Sequence, residues 1–482
     1  MLYHSTRSFE NPVSGAQAVI KGLAPDGGLY MPQSIPEFDW QTCLKADAYG
    51  MATAILTAFL GDIPNMEDLV RKAYTGKFSA EDLTPTVQVG AFSVLELFHG
   101  PTSAFKDVAL SMLPQLLTAA RAKEGFEEDI LILTATSGDT GKAALEGFKD
   151  VAGIKICVFY PDGGVSPVQR AQMVTQEGGN VAVCAVKGNF DDAQTGVKNI
   201  FNAVRGVAAG ALSSANSINI GRLVPQIMYY FKAYADLMQA GKIALGDQVN
   251  FSVPTGNFGD ILAGYLAKLL GLPVGKLICA SNANKVLTDF IRTGTYDRRR
   301  LLHKTLSPSM DILVSSNLER LLYLLSGDTA LVAQLMSRLS QEGAYTVSDA
   351  LLEKVQELFW ADFCDDAGAQ EAIGRVWREK GYLCDPHTAA GWVVAENYVN
   401  QTGDHRPMVV LSTASPYKFP AAVLSAIGGD VSGDEFAQQG ALEALTGVAM
   451  PRNLRGLKEK KELHTGSIEK DTMLSFVQAL QF

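Results

Sequence analysis

The stretch LELFHGPTSAFKDVALSML, residues 95–113, hands a strand over to a helix within about ten residues. An apolar run from Val94 to Phe98 reaches the turn His99-Gly100-Pro101-Thr102, and an apolar helical pattern starts directly after Phe105-Lys106-Asp107. A strand feeding a helix through a short turn is the repeating unit of an α/β fold. The lysine at the mouth of the helix is the informative residue. The positive end of the helix dipole and partial desolvation both disfavour an ammonium there. A neutral amine is what Schiff-base chemistry requires. Read alone, the motif also suits a solvated surface lysine.

Working outward, the same alternation recurs. ILILTAT (130–136) is a strand, SGDTG a turn and KAALEGF a helix. IKICVFYP (154–161) and VAVCAVKG (181–188) are strands; SPVQRAQMVTQ, with Pro167 in its first turn, and NFDDAQTGVKNIFNAV are helices. The pattern restarts with a helix over Leu223 to Leu237. The strand QVNFSVP (248–254), the turn TGNFG, the helix DILAGYLAKLL and the strand KLICASN (276–282) follow. Residues 317–379 read as mostly helical, MVVLSTAS (408–415) as the last strand, and the charge run KEKKE (458–462) as a solvated helix face. The expected architecture is α/β: two open, mostly parallel-sheet units with helical additions. The expected division is an N-terminal accessory region (1–92), a lysine-bearing unit (93–245), a second unit (246–428) and a C-terminal tail (429–482).

Composition excludes several classes. A net charge of −10 over 482 residues argues against a nucleic-acid binder. The six cysteines (43, 157, 184, 279, 364 and 384) form no CxxC and read as reduced and mostly buried. Six scattered histidines with no HExxH give no metal-site signature. The start lacks the apolar core of a signal peptide, and no apolar run is long enough to span a bilayer; a cytoplasmic protein without a membrane partner is expected.

Ligands of open α/β sheets bind at the carboxyl ends of strands, and four loops there carry chemistry. HGPTSAFKD offers Lys106. TATSGDTGKAA (134–144) places Ser137, Thr140 and loop amides at a helix N-terminus, a site for a carboxylate or phosphate; it is not a Walker A loop, because position 136 is Thr. VPTGNFGDILAGY (253–265) sets Gly256 and Gly259 around Asn257-Phe258, a glycine cradle suited to phosphate. LSTASPYKF (411–419) ends a strand on Thr413. Each loop alone is also a plain cap or turn. Together, a nucleophilic lysine, a carboxylate loop and a phosphate cradle fit a pyridoxal 5'-phosphate enzyme, with Thr413 as a hydroxyl partner that would favour a neutral ring nitrogen.

On these motifs the chain resembles the threonine synthase family, of the tryptophan synthase β-like group (fold type II) of pyridoxal phosphate enzymes. The resemblance runs nearly the full length through STR, GLAPDGGLYMP, HGPTSAFKD, TSGDTGKAA, SINIGRLVPQ, PTGNFGDILAGY, SPSMDILVSSNLERLLY, DPHTAAG and LSTASPYKF. It implies that Lys106, flanked by Phe105, holds the cofactor as a Schiff base. It implies that Gly256, Asn257, Phe258, Gly259 and Asp260 form the phosphate cup, and that Thr413 meets the ring nitrogen. Ser137, Gly138, Asp139 and Thr140 would take the substrate carboxylate; Lys142, Asn219 and Arg222 are candidates for a substrate phosphate. His387 in DPHTAAG reads as structural. The implied activity converts O-phospho-L-homoserine and water to L-threonine and phosphate. Two alternatives share these residues: a dehydratase-type lyase of the same fold, and a catalytically silent homologue that binds phosphorylated metabolites. The last motif departs from the TAHPAKF of many relatives, having Ser415 and Tyr417; oligomeric state is not legible.

Overall fold

A computed structural model describes residues 1–136, 138–204 and 212–480. The alternation resolves into two main sheets. The larger has six strands in the order Phe359–Phe363, Val274–Ser281, Val249–Pro254, Met408–Ser412, Phe92–Glu96 and Thr86–Val89; only the last pairing is antiparallel. The smaller has five parallel strands in the order Ser467–Glu469, Val181–Lys187, Ile154–Pro161, Ile130–Ala135 and Leu212–Ser213. Val249–Pro254 and Met408–Ser412 are buried at every residue. Helices cover both faces of such a sheet, so its strands read as continuous apolar runs rather than as alternations. All six cysteines are buried free thiols.

The sheets group the strands differently from the expected units. Phe92–Glu96, the strand before the lysine, lies in the larger sheet with Val94 opposite Val410, not beside the SGDTG strand. Its partner is some three hundred residues away, and a five-residue strand does not encode its neighbour. The tail also contributes structure. Ser467–Glu469 adds an edge to the smaller sheet beside Ala185 and Lys187, a segment too short for a periodicity reading. The KEKKE run is not helical but lies in turns and irregular chain after Gly456, whose φ is +63°. It has no apolar stripe to bury, and its Glu462 pairs with Arg170 at 2.5 Å. Between 317 and 379, the helices Leu318–Ser326, Thr329–Gln341, Asp349–Leu358 and Asp366–Lys380 are interrupted by two strands, Ala344–Thr346 and Phe359–Phe363.

Distant motifs meet. Thr6 and Arg7 of STR bind Glu319 through Oγ1 (2.6 Å) and a two-pronged guanidinium contact (2.8 Å each). The neighbouring Arg320 is fully buried and donates to the carbonyls of Tyr30 (3.1 Å) and Ile218 (2.7 Å) and to Asn317 Oδ1 (2.5 Å). Asn317 in turn donates from N and Nδ2 to the carbonyl of Asn257, at 3.1 and 3.0 Å. The N-terminal region thus braces the glycine loop through one helix.

Candidate active site

Two loops at strand ends run side by side. Leu97 N–H donates to the Ser412 carbonyl (2.9 Å), Phe105 N–H to that of Thr413 (2.8 Å), and Ser415 N–H to that of Ser103 (3.1 Å). This ladder sets Lys106, first residue of the helix Lys106–Lys123, beside the buried Thr413. The aspartate that follows the lysine has a local task. Gly100-Pro101-Thr102 folds back over the helix start, so the buried Asp107 accepts from Thr102 N (2.8 Å) and Thr102 Oγ1 (2.5 Å). A Cβ on Gly100 would lie 2.3 Å from Asp107 Cβ, so only glycine permits this turn. Burial holds the Asp107 carboxyl up at about 6, against the lowering effect of the Thr102 bonds.

Lys106 is 8% exposed. Its Nζ lies 3.3 Å from Ser309 Oγ, 3.9 Å from Asp139 Oδ2 and 4.6 Å from the centre of the Phe105 ring. Burial lowers its amine to about 8, opposed by Asp139 and assisted by the charges of Lys418 and Arg222. The amine is largely desolvated, and its lowered value gives it a far larger neutral fraction near pH 7 than an exposed lysine has.

The strand Ile130–Ala135 delivers Asp139, first residue of the helix Asp139–Phe148. Thr136 Oγ1 accepts from the N–H groups of Gly138 (3.0 Å) and Gly141 (2.9 Å) and so shapes the loop. Gly138 has φ +144°, and a Cβ there would sit 2.5 Å from Gln169 Cδ. Asp139 is buried and holds Gln169 Nε2 (2.9 Å) and Lys418 Nζ (2.6 Å) on Oδ1. The two lysines keep its carboxyl well below the usual range, against the effect of burial. Thr140 is half-buried beside it, and Ser137 lies outside the described residues.

The glycine loop follows the strand Val249–Pro254. Phe258 takes the left-handed conformation (φ +62°) and caps the helix Gly259–Leu269. Asn257 is exposed, while Gly256 and Gly259 are half-buried. Ser315 Oγ donates to the Gly256 carbonyl at 2.7 Å. Asp260 is buried and accepts from Tyr229 (2.6 Å) and Tyr230 (3.0 Å) hydroxyls on Oδ1; burial raises it to about 6. It supports the helix start, with Lys106 close enough to lower it.

The candidates for a substrate phosphate part company. Arg222 is buried and close enough for its charge to act on Lys106. One nitrogen donates to the Ala215 carbonyl (2.7 Å), whereas Nε is buried without a partner among the described residues. Asn219 is committed elsewhere. Its Oδ1 caps a short helix at Gly221 N (2.9 Å) and its Nδ2 donates to the Val19 carbonyl (2.9 Å). Lys142 pairs with Glu146 at 3.1 Å and also donates to Gln176. Both are candidates for a substrate phosphate on sequence; in the structure capping engages Asn219 and an i,i+4 pair engages Lys142.

Several site residues were not singled out in the sequence. Ser309 comes from the turn around the SPSMD motif. His387 Nε2 accepts its backbone N–H at 3.1 Å, and His387 Nδ1 faces Asp385 Oδ2 at 2.6 Å. That pattern assigns the ring a proton on Nδ1. Asp385 is itself the N-cap of the helix Pro386–Thr402. The structural expectation for His387 thus has a specific form: the dyad holds the turn that presents Ser309 to Lys106. Lys418, Gln169 and Thr102 were also missed.

The site can be tested for fit to pyridoxal phosphate. A buried lysine of lowered basicity suits an aldehyde, and the buried Arg222 Nε, without a partner among the described residues, suits an anionic group. Gly256 and Gly259 carry no side chain on either side of Asn257-Phe258, which lets the backbone of the loop approach a ligand. The residues fit the cofactor. The fold and the site are of the kind described by the family model "Pyridoxal-phosphate dependent enzyme", which matches residues 74–414. The models "Threonine synthase N terminus" and "Threonine synthase, C-terminal" match residues 2–74 and 388–472. The chain is 42% identical over 432 residues to the threonine synthase of Pseudomonas aeruginosa, covering 88% of this chain and 90% of that one. It is 41% identical over 434 residues to human "Threonine synthase-like 1", covering 86% of this chain but spanning only 58% of the human protein. The crystal structure of pyridoxal-phosphate-bound threonine synthase from Brucella melitensis superposes with a TM-score of 0.87 at 40% identity, covering 99% of this chain and 98% of that one. The chain belongs to the threonine synthase family.

Proposed function

We propose that this chain is a pyridoxal-phosphate-dependent threonine synthase that converts O-phospho-L-homoserine and water to L-threonine and phosphate, acting in the cytoplasm. The observation that carries the reading is the buried Lys106 amine between Ser309 Oγ and Asp139, with Lys106 following a strand of the larger sheet and Asp139 a strand of the smaller one. When bound, the cofactor supplies an electron sink that stabilises negative charge developing on the substrate carbons. Lys106 would hold it covalently, the amides of Gly256–Gly259 would take its phosphate, and Thr413 would face the ring nitrogen.

The residues of the chain then divide the remaining work. Lys106, released by the substrate amine, takes the proton from Cα and later returns one, a general-base role that its lowered basicity suits. The backbone N–H groups of Asp139 and Thr140, at a helix N-terminus, orient the substrate carboxylate, while that of Gly138 is held by Thr136 Oγ1. The buried Arg222 has donor capacity for the substrate phosphate, which leaves from Cγ before water adds at Cβ. Asn219 and Lys142 are not carried into this role. Asp385 and His387 hold the Ser309 turn.

A competition experiment tests the substrate. The purified, cofactor-loaded protein should turn over O-phosphohomoserine far faster than it deaminates threonine or serine. Preference for the unphosphorylated amino acids would replace this reading with a dehydratase.

A further inference from the structure

Lys418 is a second lysine of the site and is more deeply buried than Lys106; its side chain is 0% exposed. It lies on the short turn Pro416–Lys418 after the strand Met408–Ser412. Its Nζ contacts Asp139 Oδ1 at 2.6 Å and the Thr102 carbonyl at 3.0 Å. It therefore ties three loops together: the one before Lys106, the one carrying Asp139 and its own. Asp139 divides its oxygens, with Oδ1 taken by Lys418 and Gln169, and Oδ2 left 3.9 Å from Lys106 Nζ. The charged groups facing Lys106 are Asp139 and Asp107 on one side of the balance and Lys418 and Arg222 on the other, with Asp260 within electrostatic reach.

We propose that Lys418 is a positioning residue that keeps Lys106 nucleophilic, by holding the Asp139 carboxylate back from it and by opposing its ammonium charge. The inference rests on the reading of Lys106 as the cofactor lysine. Only the neutral amine has the lone pair that adds to an aldehyde. Its nitrogen forms the new bond to carbon, the carbonyl oxygen leaves as water, and any ammonium present first gives a proton to solvent. At 3.9 Å, the Asp139–Lys106 contact is loose, whereas a free carboxylate would close to ordinary ion-pair distance. With Lys418 absent, nothing cationic holds Oδ1. Asp139 would then close on Lys106 and stabilise the ammonium.

The test follows the visible absorbance of the lysine–cofactor Schiff base as pyridoxal phosphate is added to apoprotein across a pH series. Lys418→Met should move the midpoint of the rate profile up by ~1 pH unit, making uptake ~10-fold slower at neutral pH. Lys418→Arg keeps the charge and should stay near the wild-type midpoint. Asp139→Asn should lower the midpoint. The double variant Asp139→Asn/Lys418→Met should lie above Asp139→Asn but below Lys418→Met; its comparison with Asp139→Asn holds even if Lys418→Met alone fails to fold. A wild-type midpoint in Lys418→Met, an equal displacement in Lys418→Arg, or no difference between the double variant and Asp139→Asn would overturn the proposal. A Schiff base formed by Lys106→Ala would instead overturn the assignment of Lys106 itself.

Discussion

Gly256→Ala adds one carbon at the most crowded point of the cradle. Gly256 has no left-handed φ, so its glycine is needed for space alone. The added Cβ would lie 2.6 Å from the Ser309 carbonyl oxygen and 3.4 Å from Met310 Cα. Ordinary contact begins near 3.4 Å, so the two backbones must part by 3.4 − 2.6 = 0.8 Å. The Ser309 side cannot yield freely. Its N–H is held by His387 at 3.1 Å and its hydroxyl lies 3.3 Å from Lys106 Nζ. Overpacking of this kind costs about 1–3 kcal/mol. Losing the Ser309–His387 bond adds about 1 kcal/mol, for a total of about 2–4 kcal/mol. The same displacement should weaken cofactor binding, by roughly 10-fold for each 1.4 kcal/mol that falls on the bound state. Thermal melting of apoprotein and holoprotein, with a cofactor titration, measures both effects. A wild-type melting temperature together with wild-type cofactor affinity would refute the claim that these two backbones are locked at contact.

Three further outcomes follow from the same contacts. His387→Leu leaves the Ser309 N–H and part of the Asp385 carboxylate unpaired in a buried site, and should destabilise by about 2–4 kcal/mol; His387→Asn, able to donate and accept, should recover part of the loss in a thermal melt. Arg320→Met strips donors from Tyr30, Ile218 and Asn317, and should destabilise by about 3 kcal/mol while lowering cofactor affinity through the Asn317–Asn257 clamp; unchanged affinity would show that the brace does not reach the loop. Lys106 gives a pH signature in apoprotein. Its folded-state value of about 8 lies below the ordinary 10.5, so the unfolded chain binds the extra proton between those values. Stability from this group therefore rises with pH through that window, by about 3 kcal/mol in total. The advantage of Lys106→Met over wild type should be largest below pH 8 and shrink above it; a constant difference would mean that the amine is not desolvated.

What the sequence revealed and withheld follows physical lines. The strands ILILTA and VNFSVP and the helices after SGDTG and GNFG were legible because buried parallel strands and their following helices carry long apolar runs. Lys106 and the glycine loop drew attention because they follow strand ends, where ligands of such sheets bind, and Asp139 entered through the family resemblance. Pairing was not: nothing in FSVLE specifies MVVLS as its neighbour, and the three-residue strand at Ser467 has no period to read. Polar partnerships were also hidden. Asn219 and Lys142 look like Arg222 on paper, and only the fold shows two of them occupied. Lys418 was overlooked because a lysine before a phenylalanine resembles a surface residue until burial is known, and His387, read as structural, gave no hint of which turn it holds.

The most direct test of the central claim is a product balance. Cofactor-loaded protein is mixed with O-phosphohomoserine, and threonine and phosphate are both quantified beside Lys106→Ala. Equal release of the two products, absent from the variant, is the expected result. Phosphate without threonine would contradict the account by revealing an eliminase that stops at a keto acid, and threonine formed by Lys106→Ala would contradict it by removing the lysine on which the site was built.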